Sequence, residues 1–288
     1  MANRPLVEPF GGTAISGGSL APRSRRGVVG QADSVRRGGA AATVIEFLVI
    51  AGGGYGGGNG SGGGGAGGYR TSVTGATNGG GSALDAKLEF VRGTTYTVTV
   101  GAAQSNSVLA TVTSTAGNSP ASYGVGGNAG GATTQGYNGS SSGGGGGSGA
   151  AATSCVGGNG LSNSITGSAV TRGGGGGKGD AANCCQNCSG CAGGSGGGGG
   201  GAGTEPNCCG GQGGTGGANT GGGGGGGGRD CGGPTGYAGV GGSGFVALRY
   251  VDSEAVITSI SGGLTYTTTT SGGFRIYSFT GGTGTITF

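Results

Sequence analysis

Apolar positions in this 288-residue chain cluster into short β-type segments near its two ends. Residues 43–50 read TVIEFLVI, a β-branched run that predicts a strand buried on both faces. Residues 88–101, LEFVRGTTYTVTVG, then alternate valine and tyrosine with threonine, which is the period of two of a half-buried strand. Together these segments predict a small β platform.

Four more strands are expected after residue 242, in the segments GFVALRYV, GLTYTTTT, FRIYSF and GTITF. Gly-Gly or Ser-Gly pairs join them, as in tight β-turns. Residues 102–242 show no helical periodicity, and glycine runs alternate there with islands such as ATTQGYNGSSS, GLSNSITGSAVT and AANCCQNCSGC. The pattern therefore predicts a mainly β and irregular fold, with strands framing a glycine-rich middle and essentially no α-helix.

Glycine supplies 89 of the 288 residues, far above its share in globular domains. Collagen is excluded, because it needs glycine at every third position with abundant proline, whereas this chain has 6 prolines and an unbroken glycine run at 221–228. One alternative is a flexible linker. The other is a bundle of polyglycine II helices, which have three residues per turn and bond only to neighbouring helices. We favour the bundle, because strands at both ends could anchor it.

Positive charge is concentrated before the first strand. Residues 1–40 contain six arginines against Glu8 and Asp33, which equals the +4 net charge of the whole chain. We interpret residues 1–42 as a basic arm that docks on an acidic partner; a disordered tail is the alternative. Nucleic acid is not an expected partner, because only Phe10 accompanies the arginines. The arm arginines are Arg4, Arg23, Arg25, Arg26, Arg36 and Arg37.

Export and membrane signals are absent from the pattern. No apolar stretch approaches the length of a membrane helix, and the N-terminus lacks the apolar core of a secretory signal. We therefore do not expect export by the general secretory route.

Several anchor motifs occur in a fixed order: EFLVIAGGGYGGGNGSGGGGAGGYRTS, then LEFVRGTTYTVTVGAA, then GGSGFVALRYV, with GGFRIYSFTGGTGTITF at the end. In this order they resemble the glycine-rich domain of bacteriophage tail-fibre and adhesin proteins, over about residues 44–250. The resemblance implies packed polyglycine II helices whose intervening loops recognise a host surface. The arginine-rich arm and the cysteines depart from that pattern.

All eight cysteines lie in the glycine-rich middle, at Cys155, Cys184, Cys185, Cys188, Cys191, Cys208, Cys209 and Cys231. An even number of cysteines in a chain with little apolar core favours disulfides between neighbouring tracts. A thiolate-only metal site and free thiols are the alternatives. Neither a metal nor a cofactor is expected.

Catalytic patterns are missing. The chain has no histidine and its ten carboxylates are scattered, so the usual general bases are lacking. The segment GGGGGKGD around Lys178 resembles a phosphate loop but lacks the Ser or Thr that must follow the lysine. We do not expect an enzyme.

These observations predict a phage virion protein that acts as a tail-fibre component or adhesin. Its expected parts are the arm (1–42), a glycine-rich domain with framing strands (43–250) and a C-terminal β module (251–288). Expected partners are other virion proteins, a host surface glycan or outer-membrane protein, and further copies of the chain, with a trimer considered by analogy with fibres. The alternatives are a purely architectural head fibre or decoration protein, and an extracellular ice-binding or silk-like protein. Candidate receptor contacts, each alternatively an ordinary turn residue, are Tyr123, Gln135, Tyr137, Asn138, Asn163, Arg229 and Tyr237.

Overall fold

The computed structural model describes residues 41–180, 189–203, 210–229, 236–254 and 256–288. The six arginines of the predicted docking arm lie outside these residues. Within the described ranges the chain is β and irregular, with a 3-10 turn at Gly79–Gly81 and no α-helix. The predicted class is confirmed.

Twelve strands form in the described residues. Their bounds are β1 Ala42–Ile50, β2 Tyr69–Thr71, β3 Leu88–Val91, β4 Thr95–Val100, β5 Ser107–Leu109, β6 Val112–Ser114, β7 Leu161–Asn163, β8 Val170–Arg172, β9 Phe245–Val251, β10 Ser259–Ile260, β11 Leu264–Ser271 and β12 Phe274–Thr287.

Ten of these strands form one antiparallel, nearly closed sheet, with β7 and β8 as a separate hairpin. The order is β2-β1-β9-β12-β4-β5-β6, while β3 pairs with β1, and β10 and β11 pair with β12. The fourteen-residue β12 joins the two halves of the sheet. Its first part pairs with β9, and its second part, from Gly282 onward, pairs with β4.

The sheet has an apolar cluster on each face. Phe47 and Leu248 belong to the larger cluster with side chains of β4 and β12. Leu48 and Phe245 belong to the smaller one, which includes Ile165 from the turn between β7 and β8. Neighbouring residues of β1 thus enter opposite clusters, and the prediction that this strand is buried on both faces is confirmed.

The glycine runs pack side by side into a bundle held by backbone hydrogen bonds. The tract at 221–229 shows the pattern: every third N–H donates to the same neighbouring tract, as expected for helices with three residues per turn. The donors and acceptors, at 2.8–3.0 Å, are Gly223, Gly226 and Arg229 to Gly174, Gly177 and Asp180; Gly224 and Gly227 to Gly54 and Gly57; Gly225 and Gly228 to Gly214 and Gly211.

Tract 221–229 also accepts hydrogen bonds from three other tracts, through Gly64 and Gly67, Gly199 and Ala202, and Gly239 and Gly242. It therefore has six neighbours around it, and residues 221–228 are buried. No side chain fits between such tracts: a Cβ on Gly225 would lie 1.8 Å from the carbonyl oxygen of Gly200. Glycine is required here because the backbones touch.

The structure divides the chain differently from the prediction. Residues 40–288 form one compact unit, so the expected C-terminal module at 251–288 is not separate. The reason is β12, which lies between β9 and β4 in the sheet. The segments FRIYSF and GTITF, predicted as two strands, are both part of β12, and LEFVRGTTYTVTVG is divided into β3 and β4 by a turn at Gly93 (φ 76°).

Candidate functional site

The end of the glycine bundle that faces away from the sheet, here called the tip, is where the tracts turn back. In the described residues it consists of 57–61, 119–124, 140–143, 153–156, 178–180, 203, 210, 229 and 236–237. Asn59 N–H donates to the Gly236 carbonyl at 3.2 Å, and Arg229 N–H donates to the Asp180 carbonyl at 2.9 Å. The tip is therefore one surface built from loops that are distant in sequence.

Tyr123 and Arg229 meet at the tip. The Arg229 guanidinium carbon lies 5.9 Å from the centre of the Tyr123 ring, and its Nη1 lies 3.5 Å from the Tyr123 hydroxyl oxygen. Tyr123 is 55% exposed. Their contact joins the loop after residue 118 to the end of the central glycine tract, and it leaves an aromatic face and a cation accessible together.

Tyr237 adds a second exposed aromatic at the tip. It is 73% exposed, the highest value among the described large apolar side chains, and it follows Gly236 directly. Its carbonyl accepts a hydrogen bond from Gly213 N–H at 2.9 Å, so its backbone is held while its ring is free. Three of the seven predicted receptor contacts, Tyr123, Arg229 and Tyr237, thus come together at this end.

The other predicted contacts lie elsewhere. The Gln135 carbonyl accepts a hydrogen bond from Tyr69 N–H at 2.9 Å, which places it at the sheet end of the bundle. Tyr137, half-buried, begins the adjoining tract, and Asn138 is exposed on the flank of the bundle. Asn163 is buried in β7 and bonds to Thr71, so it has a structural role and is not presented at the surface.

Gln135 also lines a polar depression of about 420 Å³ on the side of the molecule. The neighbouring Arg70 and Asp85 form a two-point ion pair, in which Arg70 Nε donates to Asp85 Oδ2 at 3.1 Å. Asn78 donates to the same carboxylate at 3.4 Å. These groups bond mainly to one another, so the depression is a closed polar network with no aromatic platform.

A disulfide lies at the tip. Cys155 and Cys191 are bonded, with their Cα atoms 5.7 Å apart. Lys178 lies between the two chain segments: its N–H donates to the Cys155 carbonyl, and its carbonyl accepts from Cys191 N–H, both at 2.9 Å. The expectation of disulfides between neighbouring tracts is met by this pair, which ties the tracts on either side of residues 173–180.

The other six cysteines lie outside the described residues, in 181–188, 204–209 and 230–235. The described residues that flank these three segments are all at the tip. Arg229 bonds to Asp180, and Gly211 bonds to both Gly203 and Gly228.

Threonines form a small ladder on the sheet. This matters for the ice-binding alternative, which predicts a regular array of threonine or alanine on one face. On the outer face, Thr95, Thr97 and Thr99 of β4 stand opposite Thr287, Thr285 and Thr283 of β12. The hydroxyls of Thr95 and Thr287 are 3.0 Å apart. The sequence did not reveal this row of paired threonines on two adjacent strands, and further exposed threonines lie along β11.

Nothing in the described ranges groups three or more metal-binding side chains, and no helix there could span a membrane. Comparisons of the chain with protein-family models, curated proteins and solved structures found no match. The resemblance to phage glycine-rich domains therefore remains a prediction based on the motifs alone.

Proposed function

We propose that this protein is an attachment protein of a phage virion, a tail-fibre component or adhesin that presents the tip to a host cell surface. The observation that supports this proposal is the separation of its two ends. β1 begins at Ala42, beside Val91 of β3, and runs toward the glycine bundle. The tip lies at the far end of the tracts, about 28 Å beyond the sheet for a nine-residue tract. Ala41, the first described residue, therefore lies at the end of the sheet opposite the tip, which suits recognition by the tip.

The chemistry of the tip supports recognition of surface glycans or of outer-membrane protein loops. Exposed tyrosine rings stack on sugar faces, and the Arg229 guanidinium can form charge-assisted bonds with acidic groups. The loops project from a bundle whose tracts are joined by many backbone hydrogen bonds, and such a preorganised support reduces the flexibility lost when a ligand binds. A rigid platform with variable loops is a common arrangement for binding sites.

The proposal is tested by adsorption of the labelled full chain to a panel of Gram-negative cells. Tyr123→Ala and Tyr237→Ala together are expected to weaken binding at least about tenfold, since buried aromatic contacts dominate such interfaces. The matched control is Tyr55→Ala, because Tyr55 is an exposed tyrosine (39%) within a tract of the same bundle. Adsorption that is unchanged by the tip variants would refute recognition by this surface.

The architectural alternative makes a different prediction. A head fibre or decoration protein would bind no cell in the panel, and purified virions would contain it in a copy number far above that of tail fibres. Quantitative gel analysis of virions therefore separates the two possibilities.

A further inference from the structure

β11 is an edge strand with both faces in solvent. Leu264 is buried, while the seven residues that follow it are exposed. β12 pairs along one edge of β11, and no segment of the described chain pairs along the other. Proteins usually protect such an edge with charges or proline. The strand reads LTYTTTTS and has neither, and its one irregularity is at Thr265/Tyr266.

The turn between β11 and β12 determines which peptide groups of β11 face outward. Gly272 and Gly273 both have positive φ, 58° and 79°, as in a type I′ two-residue turn. In such a hairpin the residues that flank the turn, Ser271 and Phe274, form a hydrogen-bonded pair. Hydrogen-bonded and non-hydrogen-bonded pairs then alternate along the ladder.

Thr269 and Thr267 consequently bond to β12, opposite Ile276 and Ser278. The residues between them direct their N–H and C=O groups toward the free edge. These outward-facing residues are Tyr266, Thr268 and Thr270.

We propose that this edge joins two copies of the chain, strand to strand, in an antiparallel pair with twofold symmetry. The greatest overlap of outward-facing groups puts Thr268 opposite Thr268 of the second copy, on the symmetry axis. Tyr266 then lies opposite Thr270, and Thr270 opposite Tyr266. Each of these three pairs exchanges two hydrogen bonds, so about six N–H···O=C bonds link the copies.

A second copy fits this edge better than the other available occupants. The self-pairing brings no charges together, and it places an aromatic residue against a β-branched one, which is a favourable cross-strand pair. The basic arm of the same chain is a poor partner, because Pro5, Pro9 and Pro22 interrupt it and proline cannot donate to a ladder. A twofold pair also covers the free β11 edge of both copies at once, so this edge is not left open to a third copy.

The first test is the mass of the full chain in solution, measured by sedimentation equilibrium over a range of concentrations. The wild-type chain is expected to reach twice the 26.2 kDa of one chain. T268P removes an outward-facing N–H and keeps the β12 ladder, so it is expected to be a folded single chain. T267P is the matched control: it removes an N–H that bonds to β12 and is expected to destabilise the hairpin itself.

The second test introduces charged residues at Thr268, on the proposed symmetry axis. T268K alone and T268E alone place like charges opposite each other, and each is expected to weaken association at least about tenfold. An equimolar mixture of the two variants is expected to restore the pair, because lysine then faces glutamate. Rescue in the mixture cannot come from a general loss of folding.

Several outcomes would overturn the proposal. These are a wild-type chain that remains single at about 100 μM, a pair or trimer that persists in T268P, and a mixture of T268K and T268E that does not associate. A single chain in which the outward-facing amides of Tyr266, Thr268 and Thr270 are protected from hydrogen exchange would show that another segment of the same chain covers the edge. None of these results depends on whether the tip binds a host.

Discussion

Leu248 in the sheet and Gly225 in the glycine bundle are both buried, but against different groups. Leu248 packs among the apolar side chains of the larger cluster. Gly225 has only backbone around it: its N–H donates to the Gly214 carbonyl, and its carbonyl accepts from Gly239, both at 2.8 Å. The sheet is stabilised by side chains removed from water, and the bundle is stabilised by peptide groups bonded to peptide groups.

This difference reverses which substitutions each region tolerates. A sheet core loses stability when a side chain is shortened, because a cavity remains. The bundle loses stability when a side chain is added. Each ordered residue costs about 1–2 kcal/mol of backbone entropy, and a hydrogen bond returns a net of about 1 kcal/mol. The bundle therefore depends on the sheet and the disulfide to hold its ends.

The largest expected effect is that of Gly225→Ala. The added Cβ would meet the Gly200 carbonyl oxygen at 1.8 Å and push two tracts apart, so we expect a loss of more than about 4 kcal/mol in unfolding free energy. Gly200→Ala is the matched control, since its Cβ would enter open space, and it should change stability by less than about 1 kcal/mol. Urea unfolding measures both. Equal effects would contradict the contact explanation.

Removing the disulfide should have the next largest effect. Cys155→Ser leaves a 36-residue separation unlinked, and chain-entropy arguments put the cost at about 3 to 4 kcal/mol. Amide exchange is expected to accelerate in tracts 157–160 and 190–195, while β1 and β9 keep their protection. Uniform acceleration across the sheet would show that the bundle and the sheet unfold as one unit.

Shortening a buried side chain tests the same comparison between the sheet and the bundle, because atoms are now removed from each region. Leu248→Ala should cost about 3 kcal/mol, since it leaves a cavity in the larger apolar cluster. Ala66→Gly removes a fully buried methyl group from the bundle and should cost about 1 kcal/mol, largely through backbone entropy. Thermal unfolding of the two variants tests the ratio, and a greater loss for Ala66→Gly would reverse our account.

An effect smaller than that of Leu248→Ala is expected to depend on pH. Burial raises the pKa of the Glu46 carboxyl, but hydrogen bonds from Lys87 and Arg249 outweigh this and lower the pKa below its usual 4.5. Because the folded pKa is lowered, the contribution is present above the unfolded pKa and is lost as pH falls through the folded one. We expect acid unfolding curves of Glu46→Gln to lose this pH-dependent part, and its stability at pH 7 to fall by about 2 kcal/mol. A curve parallel to that of the wild type below pH 4.5 would contradict the assignment.

Predictability differed between the two regions. The apolar run of β1 and the alternation in β4 identified these strands, because period and β-branching are local properties. The short strands β5, β6, β7 and β8 escaped prediction, since three-residue strands have too little pattern. β12 was divided in two because Gly281 and Gly282 resemble a turn, while its pairing with β4 is a long-range contact.

The candidate site was predictable only in part. Tyr123 and Tyr237 were identified as loop aromatics between glycine runs, and they are exposed at the tip. Asn163 had the same local features, but it lies in β7 against Thr71, where burial makes it structural. The sequence could not distinguish these cases, because which end of a tract a loop occupies depends on the direction of its neighbours.

By itself, the amino-acid sequence determined three features: β strands at both ends, a glycine-rich middle with few apolar side chains, and cysteines grouped between the glycine runs. Glycine content alone shows that this middle cannot bury an apolar core, so any order there must come from the backbone. Only the tertiary structure decided which tracts are neighbours. Gly224 bonds to Gly54 and Gly226 to Gly177 because helices with three residues per turn direct their peptide groups to tracts all around them. The glycine tracts have no side chains that could specify which tract lies beside which. Their arrangement is therefore set by the sheet, the turns and the Cys155–Cys191 disulfide.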